Sequence, residues 1–509
     1  MRALVSVFDK TGLADFAHGL VDLGYTLVSS GGTAAYLQEL GLEVTAVEDV
    51  TGAPEMLGGR VKTLHPRIHG GILARRDLPD DMATLAAHEI EPFDLVCVNL
   101  YPFSSVAGKR GVPQEDVVEM IDVGGPSMLR AAAKNFPHVA VVTSPEQYER
   151  VLGALRDDAL DLDARRDLAR DAFAQSAAYD TAIAAWFADT ERFPERLTLA
   201  FEKVADLSYG ENPHQAAAYY RELGARRHLL SRVDQLGGKE LSYNNLADLE
   251  GARRVIREFE LPAAVIVKHA NPCGVALAPT IREAWERALA ADPVSAFGCV
   301  AILNRPVDGV LGARLAEHFI EVLLAPGYDD DALAALRTKK NLRILRDEER
   351  RRETPGESDF KRVLGGILVQ DRDSSVDERD GMEVACGSLS EAQWGDLLFA
   401  WRVCKHVSSN AIVLAKELQT IGVGAGQMSR VDSVRIAVEK AREHGHDLDG
   451  AVLASDAFFP FADGPQIALE AGIAAIVQPG GSRRDDEVLA AVEATGAAMV
   501  VTGRRHFRH

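Results

Sequence analysis

Short apolar runs alternate with amphipathic stretches over roughly the first 150 residues, and this alternation most narrows what the chain can fold into. LVSVF (4–8), YTLVS (25–29), FDLVCVNL (93–100) and HVAVVT (138–143) read as strands, while LADFAHGLVDL (13–23) and SMLRAAAKNF (127–136) read as helices. Strand followed by helix, repeated, predicts a parallel sheet covered by helices. Residues 146–190 read as continuous helix punctuated by charge, a helical appendage to that sheet. From Glu202 a second α/β pattern begins, with AAVIVKH, CVAIL, IEVLLAP, GGILVQD, NAIVLA, IGVGAG, AVLASD, AAIVQP and AMVVTG as its strands. We place the boundary between Phe193 and Leu199, giving domains at 1–198 and 199–509. Residues 344–362, charged and turn-rich, read as an exposed loop.

An internal echo accompanies the second pattern. VKHANPCGVALA (267–278) aligns with CKHVSSNAIVLA (404–415), and SAFG (295–298) with DAFF (456–459). The echo predicts a duplicated α/β unit with halves at about 199–370 and 371–509.

Composition excludes several classes. A chain of 509 residues with 47% hydrophobic and 26% charged residues suits a globular protein of two to four domains. Its net charge of −20 argues against a nucleic-acid partner, and an anionic ligand would need local positive clusters. Five scattered cysteines without a CxxC pair argue against a disulfide framework. The start MRALVSVFDK is no signal peptide, and no run approaches 18 apolar residues, so the expected setting is a reduced cytoplasm without membrane contact.

Four segments converge on anion chemistry in the first domain. SSGGTAAYL (29–37) follows a strand and opens a helix, so Gly31 and Gly32 can turn the backbone and aim helical N–H groups at phosphate, unless the segment is only a tight turn capped by Thr33. GGRVKTLHP (58–66) puts Arg60 and Lys62 on a glycine-flexible loop, which favours the phosphate reading. NLYPF (99–103) sets Asn99 and Tyr101 at a strand's carboxyl end, where open α/β sheets bind ligands. IDVGGPSMLRAAAK (121–134) offers Asp122, the Gly124 and Gly125 turn, and Lys134 as a group that can meet in one crevice.

Other motifs are set aside. HPRIH (65–69) lacks a zincin glutamate and holds a proline, so no metal is expected there. IGVGAGQ (421–427) has Gln427 where a dinucleotide fingerprint needs glycine, which argues against NAD. VKHANPCG (267–274) places Lys268 and His269 at a strand end before an Asn-Pro turn. Alone, that pair fits a snorkelling lysine and a satisfied histidine. Its Pro-Cys resembles a zinc-deaminase signature but lacks the second cysteine, so zinc is not expected.

Together SGGTA, GGRVKTLHP, NLYPF, DVGG, YGENPHQ, KHANPCG, GAGQMSR and SDAFFPF give the chain a full-length resemblance to the bifunctional purine-biosynthesis family. That family joins phosphoribosylaminoimidazolecarboxamide (AICAR) formyltransferase to inosinate (IMP) cyclohydrolase. The resemblance implies a methylglyoxal-synthase-like parallel-sheet domain followed by duplicated cytidine-deaminase-like α/β halves. It implies formyl transfer from 10-formyltetrahydrofolate to AICAR, giving formyl-AICAR (FAICAR), then dehydrative closure to IMP in a cytoplasmic homodimer with transferase sites at its interface. It allows a structural monovalent cation.

For transfer, the resemblance assigns His269 as base, Lys268 as charge or proton donor and Asn410 as an orienting group. Tyr209, His214, Gly298, Glu321, Arg430, Phe458 and Arg505 surround AICAR, with Val431 and Asp463 on the folate side. For closure it assigns Lys134 to proton transfer, assisted by Asp122 and Tyr101. It counts Lys62 among the catalytic residues of closure and implies that Lys62, with Arg60, Thr63 and the Ser30 to Thr33 turn, holds phosphate or polarises the carbonyl; Ser6, Gly31, Gly32, Asn99, Gly124 and Gly125 complete the substrate site. Two positions depart from the family pattern: Ser208 stands where an arginine is expected, and Ser408 where a lysine is expected. Ser208 implies a looser grip on AICAR and raises an alternative, a cyclohydrolase with a weakened transferase half. A purely regulatory nucleotide-binding role is disfavoured by the retention of Lys134, Lys268, His269 and Asn410.

Overall fold

In the computed structural model, which describes residues 1–109, 111–188, 191–223, 228–348 and 357–509, the chain divides into two compact units. One is Met1–Lys203 with a short return beginning at Tyr220; the other holds the remainder to His509.

In the first unit β1 (Arg2–Val7), β2 (Thr26–Ser29), β3 (Val44–Ala46), β4 (Leu95–Asn99) and β5 (Ala140–Val142) form a parallel sheet in the order β3-β2-β1-β4-β5. The predicted parallel sheet is present, with β3 an addition that its three residues hid. The order reverses between β1 and β4, so their carboxyl ends flank the crevice where such sheets take ligands. Fully buried Leu4, Val5, Leu95, Val96, Phe16 and Phe93 centre its core. The helical appendage is two helices rather than one, Tyr148–Arg156 and Leu162–Phe187. The break falls where Asp161 accepts from the Ala164 N–H and caps the second helix.

β6 (Phe201–Leu207) and β7 (Ala217–Glu222) pair with each other. A mixed sheet of twelve strands then dominates the second unit. Its first half uses β8 (Asp234–Gly237), β9 (Ala263–Lys268), β10 (Asn271–Leu277), β11 (Cys299–Leu303), β12 (Ile320–Ala325) and β13 (Arg343–Arg346). β14 (Ser358–Val363) and β15 (Gly366–Asp371) form a separate hairpin. The second half uses β16 (Glu383–Cys386), β17 (Ile412–Lys416), β18 (Gln419–Gly424), β19 (Val452–Ser455), β20 (Ala475–Gln478) and β21 (Ala498–Val501). Reading inward from each edge, the orders are β8-β13-β12-β11-β9-β10 and β16-β21-β20-β19-β17-β18, the same topology twice, joined where β10 meets β18.

The duplication is therefore real, but its register differs from the echo read in the sequence. Ser242 and Ser390 cap equivalent helices, Tyr243–Ile256 and Glu391–Cys404, each closing a capping box with the residue three positions on. That offset of 148 carries Lys268 onto Lys416 and Gly274 onto Gly422. The echo between 267–278 and 404–415 instead laid β10 against β17, and SAFG precedes its strand whereas DAFF follows its own. A shared Lys-His dipeptide produced the false match.

Two further expectations change. NPCG is not a turn but the start of β10, with the register shifting between Pro272 and Gly274, so Cys273 is the extra residue of a bulge. The segment 344–362 ends in strands on both sides, β13 and β14, while residues 349–356 lie outside the described residues.

Side chains alternate across the sheet. Ala263, Val265 and Val267 enter a core under helices Tyr243–Ile256 and Glu391–Cys404 that spans both halves. Ala264 and Ile266 enter one of two separate cores on the opposite face. There helices Ile281–Ala291 and Arg430–Glu443 press on glycines: a Cβ on Gly274 would stand 2.0 Å from the Ala288 carbonyl oxygen, and one on Gly422 2.2 Å from that of Ala437. Each glycine-to-alanine change should cost about 2 kcal/mol or more by overpacking against backbone. Gly381→Ala, whose methyl would meet no atom within 4 Å, should cost far less. Urea unfolding of the three variants checks this.

Candidate active sites

The crevice between β1 and β4 opens into a cavity of about 600 Å³. Ser6, Ser30, Gly31, Gly32, Thr33, Arg60, Lys62, Thr63, Asn99, Tyr101, Asp122, Gly124 and Gly125, all expected from the sequence, line it. Ser30 rather than Thr33 occupies the N-cap position of helix Gly31–Glu39. The Thr33 hydroxyl instead bonds the Val7 backbone, accepting at 3.1 Å and donating at 2.9 Å, and so fixes the helix start against β1. Asn99 is equally occupied: its Oδ1 accepts from the Phe8 and Asp9 N–H groups and its Nδ2 donates to the Asp9 carbonyl.

Lys62 reaches the glycine turn, since a Cβ on Gly31 would lie 3.1 Å from its Nζ. It also meets Glu55 at 2.9 Å, while Arg60 pairs with Glu119. Neither acid, nor the lining Lys10, carries a mark in the sequence that singles it out as a site residue. Burial raises the Asp122 pKa, opposed by hydrogen bonds from the Gly125 and Tyr101 amides. Gly125 leaves room for the carboxylate: a Cβ there would stand 2.4 Å from Asp122 Oδ2 and displace it.

Lys134 does not join this group. It ends the 11-residue helix that Gly124 begins, so about 15 Å of helix separates it from the glycine turn. It is exposed and lines another hollow, with Arg130, Arg166, Arg170 and Phe173.

In the second unit the carboxyl end of β9 and the amino ends of β11, β12 and β13 share one sheet end. Along it stand Lys268, Gly298, Glu321 and Arg343. The Lys268 ammonium donates to the carbonyls of Gly298 (2.7 Å) and Phe297 (3.0 Å). Asn245 donates to Glu321 at 2.9 Å. Ser208, Tyr209, Lys239, Phe319, Glu321 and Arg343 line a cavity of about 530 Å³ here. Position 208 thus carries no charge itself but shares its cavity with two cations, Lys239 and Arg343, and two acids, Glu240 and Glu321.

His269 is exposed at the tip of the two-residue hairpin between β9 and β10. It and Ala270 have φ of 50° and 59°, a left-handed pair that costs of the order of 1 kcal/mol per non-glycine residue. The turn is tied down: Asp248 accepts from the Ala270 N–H at 2.6 Å, Arg508 donates to the Ala270 carbonyl, and Asn271 Oδ1 accepts from the Ser408 N–H at 2.8 Å. This last bond ties the 406–410 loop, which carries Asn410, to the residue that follows the turn.

Asn410, Arg430, Val431, Phe458, Asp463 and Arg505 line a third cavity of about 430 Å³ with Phe461 and Phe507. The Arg430 guanidinium is buried against Asp456 and donates to Asn410 Oδ1 at 2.8 Å, so it orients Asn410 rather than standing free. Among the described residues His214 lines neither cavity of this unit; it stands exposed in the 210–215 loop. Of the expected AICAR residues, Tyr209 and Glu321 line one cavity, Arg430, Phe458 and Arg505 line the other, and His214 and Gly298 line neither.

His506 anchors the C-terminal tail that carries Arg505, Phe507 and Arg508. Its ring nitrogens face Asp373 at 2.5 Å and Asp377 at 2.7 Å. Burial alone would lower its pKa, but these carboxylates raise it overall. A group held protonated by folding adds stability below its unfolded pKa, near 6.5, and loses it as pH climbs through the raised folded value. Amide exchange across 502–509 should accordingly be slowest below about pH 6.5 relative to a His506→Gln variant, with the difference vanishing at higher pH.

Comparison with known proteins now bears on these cavities. Residues 132–440 match the family model described as AICARFT/IMPCHase bienzyme, and residues 12–127 match the MGS-like domain. The chain is 51% identical, over all of its length, to the bifunctional purine biosynthesis proteins PurH of Magnetococcus marinus and Chloroflexus aurantiacus, covering 99% of each. PurH of Cereibacter sphaeroides is likewise 51% identical, with 98% covered. A solved chain titled crystal structure of ForH aligns with 38% of this chain and 98% of its own at 39% identity and a TM-score of 0.35, too partial a match to bear on the fold.

Proposed function

The chain belongs to the AICARFT/IMPCHase bienzyme family, and on that premise we propose how its residues divide the two reactions. It is a bifunctional enzyme that formylates AICAR and closes the product FAICAR to IMP. The folate donor is 10-formyltetrahydrofolate. The first unit, from residue 1 to about 198, is the cyclohydrolase, and the remainder is the transferase. Its place of work is the cytoplasm. Among the described residues no helix is long and apolar enough to cross a membrane.

The single observation that carries the transferase assignment is the strained turn presenting Lys268 and His269, tied through Asn271 and Ser408 to the loop that carries Asn410. The AICAR 5-amino lone pair is delocalised into ring and carboxamide, so attack on the formyl carbon needs a base to remove its proton. His269 takes that proton. Lys268, whose ammonium already donates to two carbonyls at this sheet end, stabilises the oxyanion and protonates the departing folate nitrogen. Asn410, aimed by Arg430, orients the formyl group. Tyr209 and Glu321 hold AICAR, with Lys239 and Arg343 supplying the positive charge that Ser208 lacks. Nothing favours a weakened transferase half. The aromatic third cavity, with Val431 and Asp463, receives the folate.

In the first cavity the helix start at Gly31 and Gly32, with Arg60 and Lys62, holds the substrate phosphate. The FAICAR carboxamide nitrogen attacks the formyl carbon, and the resulting carbinol loses water. Asp122, its pKa raised by burial, exchanges the proton, with Tyr101 assisting. Lys134 reaches such a site only from a second copy of the chain, which is one reason to expect a homodimer.

Following tetrahydrofolate release and IMP formation separately tests the division. His269→Ala should lower transfer at least about 100-fold and leave closure of supplied FAICAR unchanged, whereas Lys62→Ala should do the reverse. Normal transfer by the His269 variant would remove it as the base. If Lys134 acts across a dimer, mixing refolded Lys134→Ala and Lys62→Ala chains should restore closure that neither has alone; failure of the mixture would return Lys134 to its own chain's surface.

A further inference from the structure

The duplication supplies an internal comparison for the catalytic turn. At the offset of 148 the hairpin of His269 and Ala270 corresponds to that of Glu417 and Leu418, with φ of 53° and 59°. Each pair joins strands whose flanking residues face one another, Lys268 with Asn271 and Lys416 with Gln419. Such two-residue turns ordinarily take asparagine or glycine, because both central residues need positive φ.

Here the missing glycine is replaced by a carboxylate from below. Asp396, six positions after the N-cap Ser390, accepts from the Glu417 N–H at 2.8 Å and the Leu418 N–H at 2.7 Å. Asp248, six positions after Ser242, accepts from the Ala270 N–H at 2.6 Å, and the His269 amide also faces it. One architectural device thus occurs twice. Only one copy carries an imidazole, and the Lys416 beside the other is engaged by Asp447 and the Asp449 carbonyl.

We propose that Asp248 is a positioning residue for formyl transfer: it pins the left-handed turn so that His269 faces the substrate, while Asp396 performs the same backbone task with no catalytic consequence. The inference rests on His269 being the base. Asp248 touches no reacting atom. Its effect is to hold the His269 Cα in the one backbone state that projects the ring from the sheet end, and misplacement of a catalytic group by about 1 Å costs on the order of 100-fold in rate.

The test uses the full chain, with closure of FAICAR on the same polypeptide as a measure of active protein. Asp248→Ala should lower the transferase kcat about 30- to 100-fold with KM for AICAR within about threefold, and Asp396→Ala, with a comparable loss of Tm, should transfer at the wild-type rate. Asp248→Asn keeps the side-chain volume and one oxygen acceptor, so it should recover to within about fivefold of wild type yet remain measurably slower than Asp396→Asn. This conservative pair decides the matter even where the alanine variants fold poorly. Equal transfer by the Asp248 and Asp396 variants, with His269→Ala inactive, overturns the proposal while leaving the base assignment intact. Normal transfer by His269→Ala overturns both.

Discussion

The larger unit depends on the antiparallel seam where β10 meets β18. It is narrow: Ala276 pairs with Gln419, Leu277 donates to the Leu418 carbonyl, and the Thr420 hydroxyl both accepts from and donates to the Val275 backbone. A side chain thus does part of a ladder's work, and Gly274, Gly422 and Gly424 let helices lie directly on the strands beside it. Because the seam is antiparallel, each half's tight turn lies at the opposite end of the sheet from the other's. The His269 turn consequently meets the other half's 406–410 loop, not the Glu417 turn.

That arrangement explains why the residues proposed for formyl transfer come from both halves. The first half contributes Lys268 and His269; the second contributes Asn410, the buried Arg430 and Asp456 pair, and the aromatic cavity. One ion cluster and one arginine hold the pieces in register. Glu258 accepts from Lys405 and His406, joining positions that the duplication makes nearly equivalent, and Arg508 reaches the carbonyls of both Ala270 and His406. Breaking one partner of a pair as buried as Arg430 and Asp456 typically costs about 3–5 kcal/mol, far more than an exposed bridge. Here the cost would fall on the orientation of Asn410 as well as on stability.

Strands buried on both faces were legible because they read as unbroken apolar runs; every run named as a strand overlaps a strand, although the one at β15 lies in an exposed hairpin. β10 was not, since Asn271, Pro272 and Gly274 carry turn chemistry, and only its neighbour β9 and the bulge at Cys273 make them a strand. The positions of Gly31, Lys62, Tyr101 and Asp122 in one cavity were legible from motifs at successive strand ends. Lys134 lies outside its own chain's cavity because eleven residues of helix convert closeness in sequence into distance. Glu55, Glu119 and Asp248 lay beyond reach for another reason. A lone acid on a loop or helix carries no mark of the amide or cation it will face after folding.

Those hidden acids alter how phosphate binding in the first unit should be understood. Arg60 and Lys62 do not wait as bare cations; Glu119 and Glu55 neutralise them in a chain whose net charge is already −20. Exposed pairs of this kind contribute little to stability, so a phosphate that also receives N–H groups from the Gly31 helix start can displace the carboxylates at small cost. The released acids then stand at the rim of a closed-off charge. Anions lacking the geometry to use both the helix start and the two side chains gain too little to displace them, so the proposed phosphate site would select by that competition rather than by positive charge alone.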